Sequence, residues 1–185
     1  MSADAKGKFH LTEYVPSLVH DAILFKWFTD LIQRDEFEET FYRQPMSLSK
    51  FFEMFAPPTR LFFKVDSSAN LIFAAWGDPF VNSTTYAIYA HRSVRTVKSG
   101  LIFVEESHNR LFEKTSLILA ITRYPKVVDQ LQRLGYNRVG QIPVLYGGVT
   151  LLSLTIEDWQ HRTIYSIERS PEWLVEGAVK VAEVL

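Results

Sequence analysis

Apolar residues recur at helical spacing in the N-terminal third of the chain. Steps of three and four residues join Leu24, Trp27, Phe28, Leu31 and Ile32. This pattern predicts a helix with Ser17 as its N-cap. Residues 8–15 fit a short first strand before Pro16, and residues 47–55 fit a short helix that two prolines stop.

Apolar runs of strand length fill the middle of the chain. They predict strands at residues 60–66, 70–78, 84–92, 116–122, 138–146 and 149–156. The first two are separated by Ser67, Ser68 and Ala69, which indicates a hairpin, and a turn around Pro79 leads to the third. Because SLILAIT (116–122) is apolar almost throughout, we expect a strand buried on both faces.

Two further helices are predicted between these strands. One apolar face contains Leu101, Val104, His108, Leu111 and Phe112. Before it, residues 93–100 form a polar, basic loop, and a second helix runs from Pro125 to a C-terminal cap at Gly135. Strands joined by short turns pair antiparallel, whereas a strand–helix–strand unit gives a parallel pair. The chain therefore predicts an α/β fold with a mixed, mostly antiparallel sheet and helices on both faces.

Composition narrows the classes of function. Hydrophobic residues make up 47% of the 185-residue chain, charged residues 22%, and the net charge is −1. We expect no general attraction to nucleic acid or to a membrane surface. The absence of cysteine excludes disulfides and a thiolate nucleophile. No signal-peptide pattern or membrane-length apolar run is present, so we expect a cytoplasmic protein.

The segment Arg95-Thr96-Val97-Lys98-Ser99-Gly100 follows a predicted strand and precedes a predicted helix. It resembles the Arg-x-x-Gly-x-Gly loop of the GNAT (Gcn5-related N-acetyltransferase) superfamily, with Lys98 in place of the first glycine. The helix end Leu131–Tyr136 resembles a second family segment. The similarity extends from Arg60 to Ile156, and it implies a GNAT-like domain at residues 1–157. Residues 158–185 would form a helical tail, packed on the domain or on a partner.

The resemblance implies an acyl-CoA-dependent N-acyltransferase that uses acetyl-CoA as co-substrate and acts on a small-molecule or protein amine. In such a loop, backbone N–H groups at the helix N-terminus bind the pyrophosphate. The implied cofactor-binding residues are Tyr89, Ala90, Arg95, Thr96, Val97, Lys98, Ser99, Gly100 and Tyr124. His91 and Tyr146 are the candidates for proton transfer. The structural alternatives are a strand-end histidine bonded to backbone and a tyrosine in an amphipathic wall.

Three features of the sequence depart from the family pattern. Leu131 stands where many members carry the tyrosine that protonates the leaving thiolate, and Tyr124 stands where asparagine is frequent. The strand TTYAIYA has no acidic residue. These departures keep a second hypothesis open, a catalytically inactive GNAT-fold binding or assembly protein such as a phage virion or head-assembly component. The aromatic tail, with Trp159 and Trp173, would then bind a protein partner.

Two other clusters have competing interpretations. Glu105, Glu106 and His108 suggest a metal site, but His108 lies on the apolar helix face, which favours a hydrogen-bonded core histidine; we predict no metal. The aromatic residues between Trp27 and Phe55 either line an acceptor groove or form the core under the first helices.

Overall fold

The computed structural model describes residues 11–41, 43–91, 97–142 and 148–161. Within them the strands are β1 (Thr12–Glu13), β2 (Arg60–Val65), β3 (Leu71–Gly77), β4 (Pro79–Phe80), β5 (Ser83–Ala90), β6 (Leu117–Thr122), β7 (Asn137–Ile142) and β8 (Val149–Thr155). The helices are α1 (Leu18–Gln33), α2 (Phe37–Phe41), α3 (Leu48–Glu53), α4 (Val97–Phe112), α5 (Pro125–Arg133) and α6 (Ile156–His161). No described helix has the length and apolar character needed to cross a membrane.

The strands form one mixed sheet in the order β1-β2-β3-β5-β6-β8-β7, and β4 adds a short hairpin to β5. β5 and β6 are parallel, joined by α4, and the other pairs are antiparallel. This confirms the predicted mixed, mostly antiparallel sheet. The parallel pair lies at the centre of the sheet. Its two strands run in the same direction because the crossover helix returns the chain to the same end of the sheet.

Each face of the sheet has its own apolar core. On one face, α1, α2 and α3 pack over the first strands around Trp27, which lies within 5.3–6.1 Å of the rings of Phe41, Phe51, Phe55, Trp76 and Tyr89. On the other face, α4, α5 and α6 cover side chains such as Phe73, Ile118 and Leu152. The aromatic residues of the first helices are therefore mainly core residues, as one of the two interpretations predicts.

Local capping explains where several helices begin and end. The His20 backbone N–H donates to Ser17 Oγ at the start of α1, and Ser47 caps α3 in the same way. Pro125 occupies the first turn of α5. Gly135 follows that helix with φ 98°, the left-handed conformation that glycine adopts without steric cost.

Four sequence-based expectations on local structure are wrong. Residues 97–100 form the first turn of α4 rather than a loop, because a single glycine does not prevent a helix from starting. β6 is buried on one face only. The turn around Pro79 contains the additional strand β4. Within residues 11–15, the first strand is limited to Thr12–Glu13.

Candidate functional site: the cleft between two parallel strands

The central parallel strands separate before they end. Their pairing runs from Ser83↔Leu117 to Tyr86↔Ala120, although β5 continues to Ala90 and β6 to Thr122. Beyond the last pair, β5 remains paired with β3 and β6 with β8. A cleft therefore opens between the C-terminal ends of β5 and β6, where both strands point to the same edge of the sheet.

Exposed apolar side chains mark both faces of this cleft. Ile88 is 40% exposed, and its partner Ala75 places it on the α4 face. Ile121 is 45% exposed and lies on the opposite face, since it alternates with the buried Ala120 and Thr122. Interior strand positions of a central sheet are normally covered, so the two isoleucines offer an apolar surface to a ligand.

Helix α4 begins beside the cleft at Val97, within the predicted anion-binding segment. Among the residues that the structure describes, no atom would lie within 4 Å of a Cβ added at Gly100. The N–H groups of a first helical turn have no partner inside the helix and favour an anion. Arg95 and Thr96 lie outside the described residues, as do the side chains of Val97, Lys98 and Ser99.

The predicted proton acceptor His91 follows β5 at the mouth of the cleft. Its backbone N–H donates to the Ile72 carbonyl at 2.8 Å, and its imidazole Nε2 contacts Arg34 Nη1 of the residue that caps α1. A guanidinium has only donors, so Nε2 is the acceptor in this contact. His91 can take a proton at Nε2 only after Arg34 moves away.

Tyr124 lies at the end of β6, as the N-cap residue of α5. Its backbone N–H donates to Thr122 Oγ1 at 3.2 Å, and its hydroxyl accepts from Arg123 Nη2 at 3.0 Å. The half-buried phenol therefore stands at the same end of the sheet as His91. This position suits the predicted contact with the cofactor.

Only some of the other predicted site residues lie near the cleft. Tyr89 is buried against Trp27, so only its backbone is positioned near the cleft, and Ala90 ends β5 beside it. Tyr146 lies outside the described residues. Leu131, the position where the family tyrosine is expected, is 9% exposed within the α5 core and brings no polar group.

His108 is a core histidine, as its position on the apolar face predicts. It is fully buried; its Nδ1–H donates to the Val104 carbonyl at 2.8 Å, and the Tyr136 hydroxyl donates to Nε2 at 2.5 Å. Trp159 stacks on the ring at 4.9 Å. Among the described residues, no group of three His, Asp or Glu side chains could hold a metal ion.

Sequence reasoning missed Arg34, Ile88 and Ile121. Arg34 belongs to a helix end distant in sequence, and only the fold brings it to His91. Ile121 sits in a run with no polar alternation, so the pattern carried no signal that one face is uncovered. The point at which β5 and β6 separate also has no local signature.

Comparison with known proteins identifies the fold. No family model matches the chain, and no curated protein matches it by sequence. The solved structures it resembles include phosphinothricin acetyltransferase of Sinorhizobium meliloti with acetyl-CoA, a GNAT superfamily protein (TM-score 0.61, 15% identity, 79% of this chain and 87% of that chain). Spermidine N-acetyltransferase of Vibrio cholerae with CoA and spermine gives a TM-score of 0.62 at 14% identity, covering 82% and 98%. Ribosomal-protein-S5-alanine acetyltransferase of Vibrio fischeri gives 0.61 at 15%, covering 81% and 95%.

These similarities define the class of fold. The chain has the fold of the GNAT superfamily N-acetyltransferases, as the resemblance of its loop implies. At such identities the likeness concerns the fold, and the reaction has to be argued from the site.

Proposed function

We propose that the protein is an acyl-CoA-dependent N-acyltransferase, most simply an acetyltransferase, acting on a primary amine. The observation that carries the proposal is the cleft between β5 and β6, open beside the first turn of α4 and lined by Ile88 and Ile121. Structural neighbours whose names specify acetyl transfer to spermidine, phosphinothricin or alanine of ribosomal protein S5 support it.

The residues present fit an acyl-CoA. The first turn of α4, from Val97 to Gly100, would hold the pyrophosphate, with Arg95 and Lys98 adding positive charge. The apolar cleft would accommodate the pantetheine arm, and the backbone of Tyr89 and Ala90 would position the acyl group. Acetyl-CoA supplies the thioester carbonyl.

The chain's own groups would then move the protons. The amine nitrogen bonds to the thioester carbon, the C–S bond breaks, and the amine proton must leave while the thiolate gains one. His91 would accept the amine proton once Arg34 releases Nε2. Tyr124 or Tyr146 would donate to the thiolate, since Leu131 cannot. Proximity in the cleft supplies the remaining advantage.

Calorimetry with acetyl-CoA and with CoA tests the proposal. We expect Lys98→Glu to weaken binding about 10- to 100-fold, since a charge-assisted contact to an anion is worth roughly 1.5–3 kcal/mol. Lys114→Glu is the matched control, because it makes the same charge change on an exposed side chain beyond the other end of α4. Absence of any binding by the unmodified protein would refute the enzyme and favour the inactive binding or assembly module.

A further inference from the structure

Residues of β6 and β8 form an apolar surface on the sheet face that also carries the helices α1 to α3. We name it the β6–β8 patch: Leu119, Ile121 and Leu151. Ile121 pairs directly with Leu151 across the two strands. Leu119, Ile121 and Leu151 are half-buried or exposed and belong to neither apolar core. The patch begins where β5 and β6 separate, so it is continuous with the cleft.

The two faces of the cleft have different surroundings. On the Ile88 face, α4 packs over the sheet, with Phe103 stacked on Phe73 at 5.2 Å, and its first turn is the proposed pyrophosphate site. A cofactor held there reaches the cleft from the α4 side. The attacking amine must then approach the thioester carbon from the other face, which is the face of Ile121 and the β6–β8 patch.

The chemistry of the patch defines what can lie on it. Its three residues are apolar, and the alternating positions next to them, Leu117 on β6 and Val149 and Ser153 on β8, are uncharged. A polycation on this surface would lose hydration with no carboxylate from these strand positions to compensate. An apolar group would gain about 25 cal/mol for each Å² removed from water.

We propose that the acceptor is an amine with an apolar body, such as an arylalkylamine or an amino-acid amide with an apolar side chain, and that the β6–β8 patch contacts this body. This inference rests on the proposed acyl transfer and specifies its second substrate. It separates this protein from the neighbour that binds spermine, whose ligand is a polycation.

The acceptor preference can be measured through the released thiol. The chain has no cysteine, so a thiol reagent reports CoA alone. We expect kcat/KM for 2-phenylethylamine and leucinamide to exceed that for spermidine and kanamycin by about tenfold or more, which corresponds to roughly 1.4 kcal/mol. Leu151→Glu, a change at a patch residue on β8 that does not line the cofactor cleft, should lower the values for the apolar amines about tenfold and leave the Kd of acetyl-CoA unchanged.

The matched control is Val81→Glu, a fully exposed position in the β4–β5 turn at the other end of β5, which should change neither quantity. A preference for spermidine, or a Leu151→Glu variant that still uses the apolar amines normally, would overturn the proposal. If acetyl-CoA binds but no amine is acetylated, failure of 2-phenylethylamine to bind the CoA complex in calorimetry also overturns it. Loss of acetyl-CoA binding itself points instead to failure of the proposed function.

Discussion

At the scale of single residues, the polar groups inside the α4 core form a connected set. His108 bonds to Val104 and Tyr136, while the Tyr86 hydroxyl lies 3.2 Å from Ser107 Oγ, which itself donates to the Val104 carbonyl. A buried polar group that loses its hydrogen-bond partner destabilises the folded state, because burial has already removed its hydration. The histidine is therefore a structural element of the core, and its position on an apolar face made that predictable.

Replacing Tyr136 by phenylalanine removes the hydroxyl that donates to the buried His108 Nε2. We expect a loss of about 1–3 kcal/mol in the free energy of unfolding, the cost of a buried polar atom deprived of its partner. Tyr86→Phe is the control, since Ser107 keeps its bond to Val104. Urea unfolding measures both variants; equal losses would contradict the special role of the Tyr136–His108 bond.

The same two phenols contribute to the alkaline limit of stability. Burial raises the pKa of Tyr86 and of Tyr136 well above the ordinary value of 10.0. The folded state keeps these protons while the unfolded state releases them. The contribution of the two phenols to the free energy of unfolding should therefore be fully present below pH 10 and fall as the pH rises above it. In the Tyr86→Phe variant the free energy of unfolding should decline less steeply between pH 9 and 11, because unfolding releases about one proton fewer per molecule. An unchanged slope would exclude Tyr86 as a source of the decline.

At the scale of elements, α1 shows what a sequence pattern does and does not determine. Its helical period and the Ser17 cap predicted the element, and the apolar positions Leu24, Trp27 and Leu31 are buried as expected. Ile32 fits the same period, yet it is 42% exposed. Periodicity identifies a broad apolar face, but the neighbouring sheet decides how much of that face is covered.

The strands show the same limit more clearly. Hairpins and the parallel crossover followed from loop lengths, because short turns cannot join parallel strands. β6 is apolar at nearly every position, so no pattern could tell that Ile121 would be left exposed. The fold was therefore predictable from local signals, whereas the cleft depends on where two strands stop pairing and on contacts such as Arg34–His91.

Trp27 should dominate the stability of the α1–α3 layer. It is 2% exposed and touches the rings of α2, α3, β3 and β5 residues. We expect Trp27→Ala to lower the free energy of unfolding by about 3–5 kcal/mol, the usual cost of removing a large buried aromatic side chain. Phe25→Ala, on the exposed side of the same helix, should cost far less. Similar losses for the two variants would contradict the packing described.

At the scale of the whole molecule, the first residues of the predicted tail pack against the domain. The sequence predicts a domain at residues 1–157 followed by a tail at 158–185; α6 continues to His161, and Trp159 is 5% exposed. Its indole N–H donates to Asn109 Oδ1 at 2.8 Å, and its ring stacks on His108. The first residues of the expected tail thus complete the α4 core, and residues 162–185 lie outside the described chain.

Two truncations separate these parts. A chain ending at His161 keeps Trp159, whereas a chain ending at Glu157 loses it and leaves His108 uncovered on one side. Since a large aromatic residue leaves the core, we expect the shorter chain to be about 3–5 kcal/mol less stable in urea unfolding. Equal stability of the two chains would show that Trp159 is dispensable and would support the predicted boundary at residue 157. If both chains bind acetyl-CoA as the full-length protein does, residues 162–185 are not needed for cofactor binding.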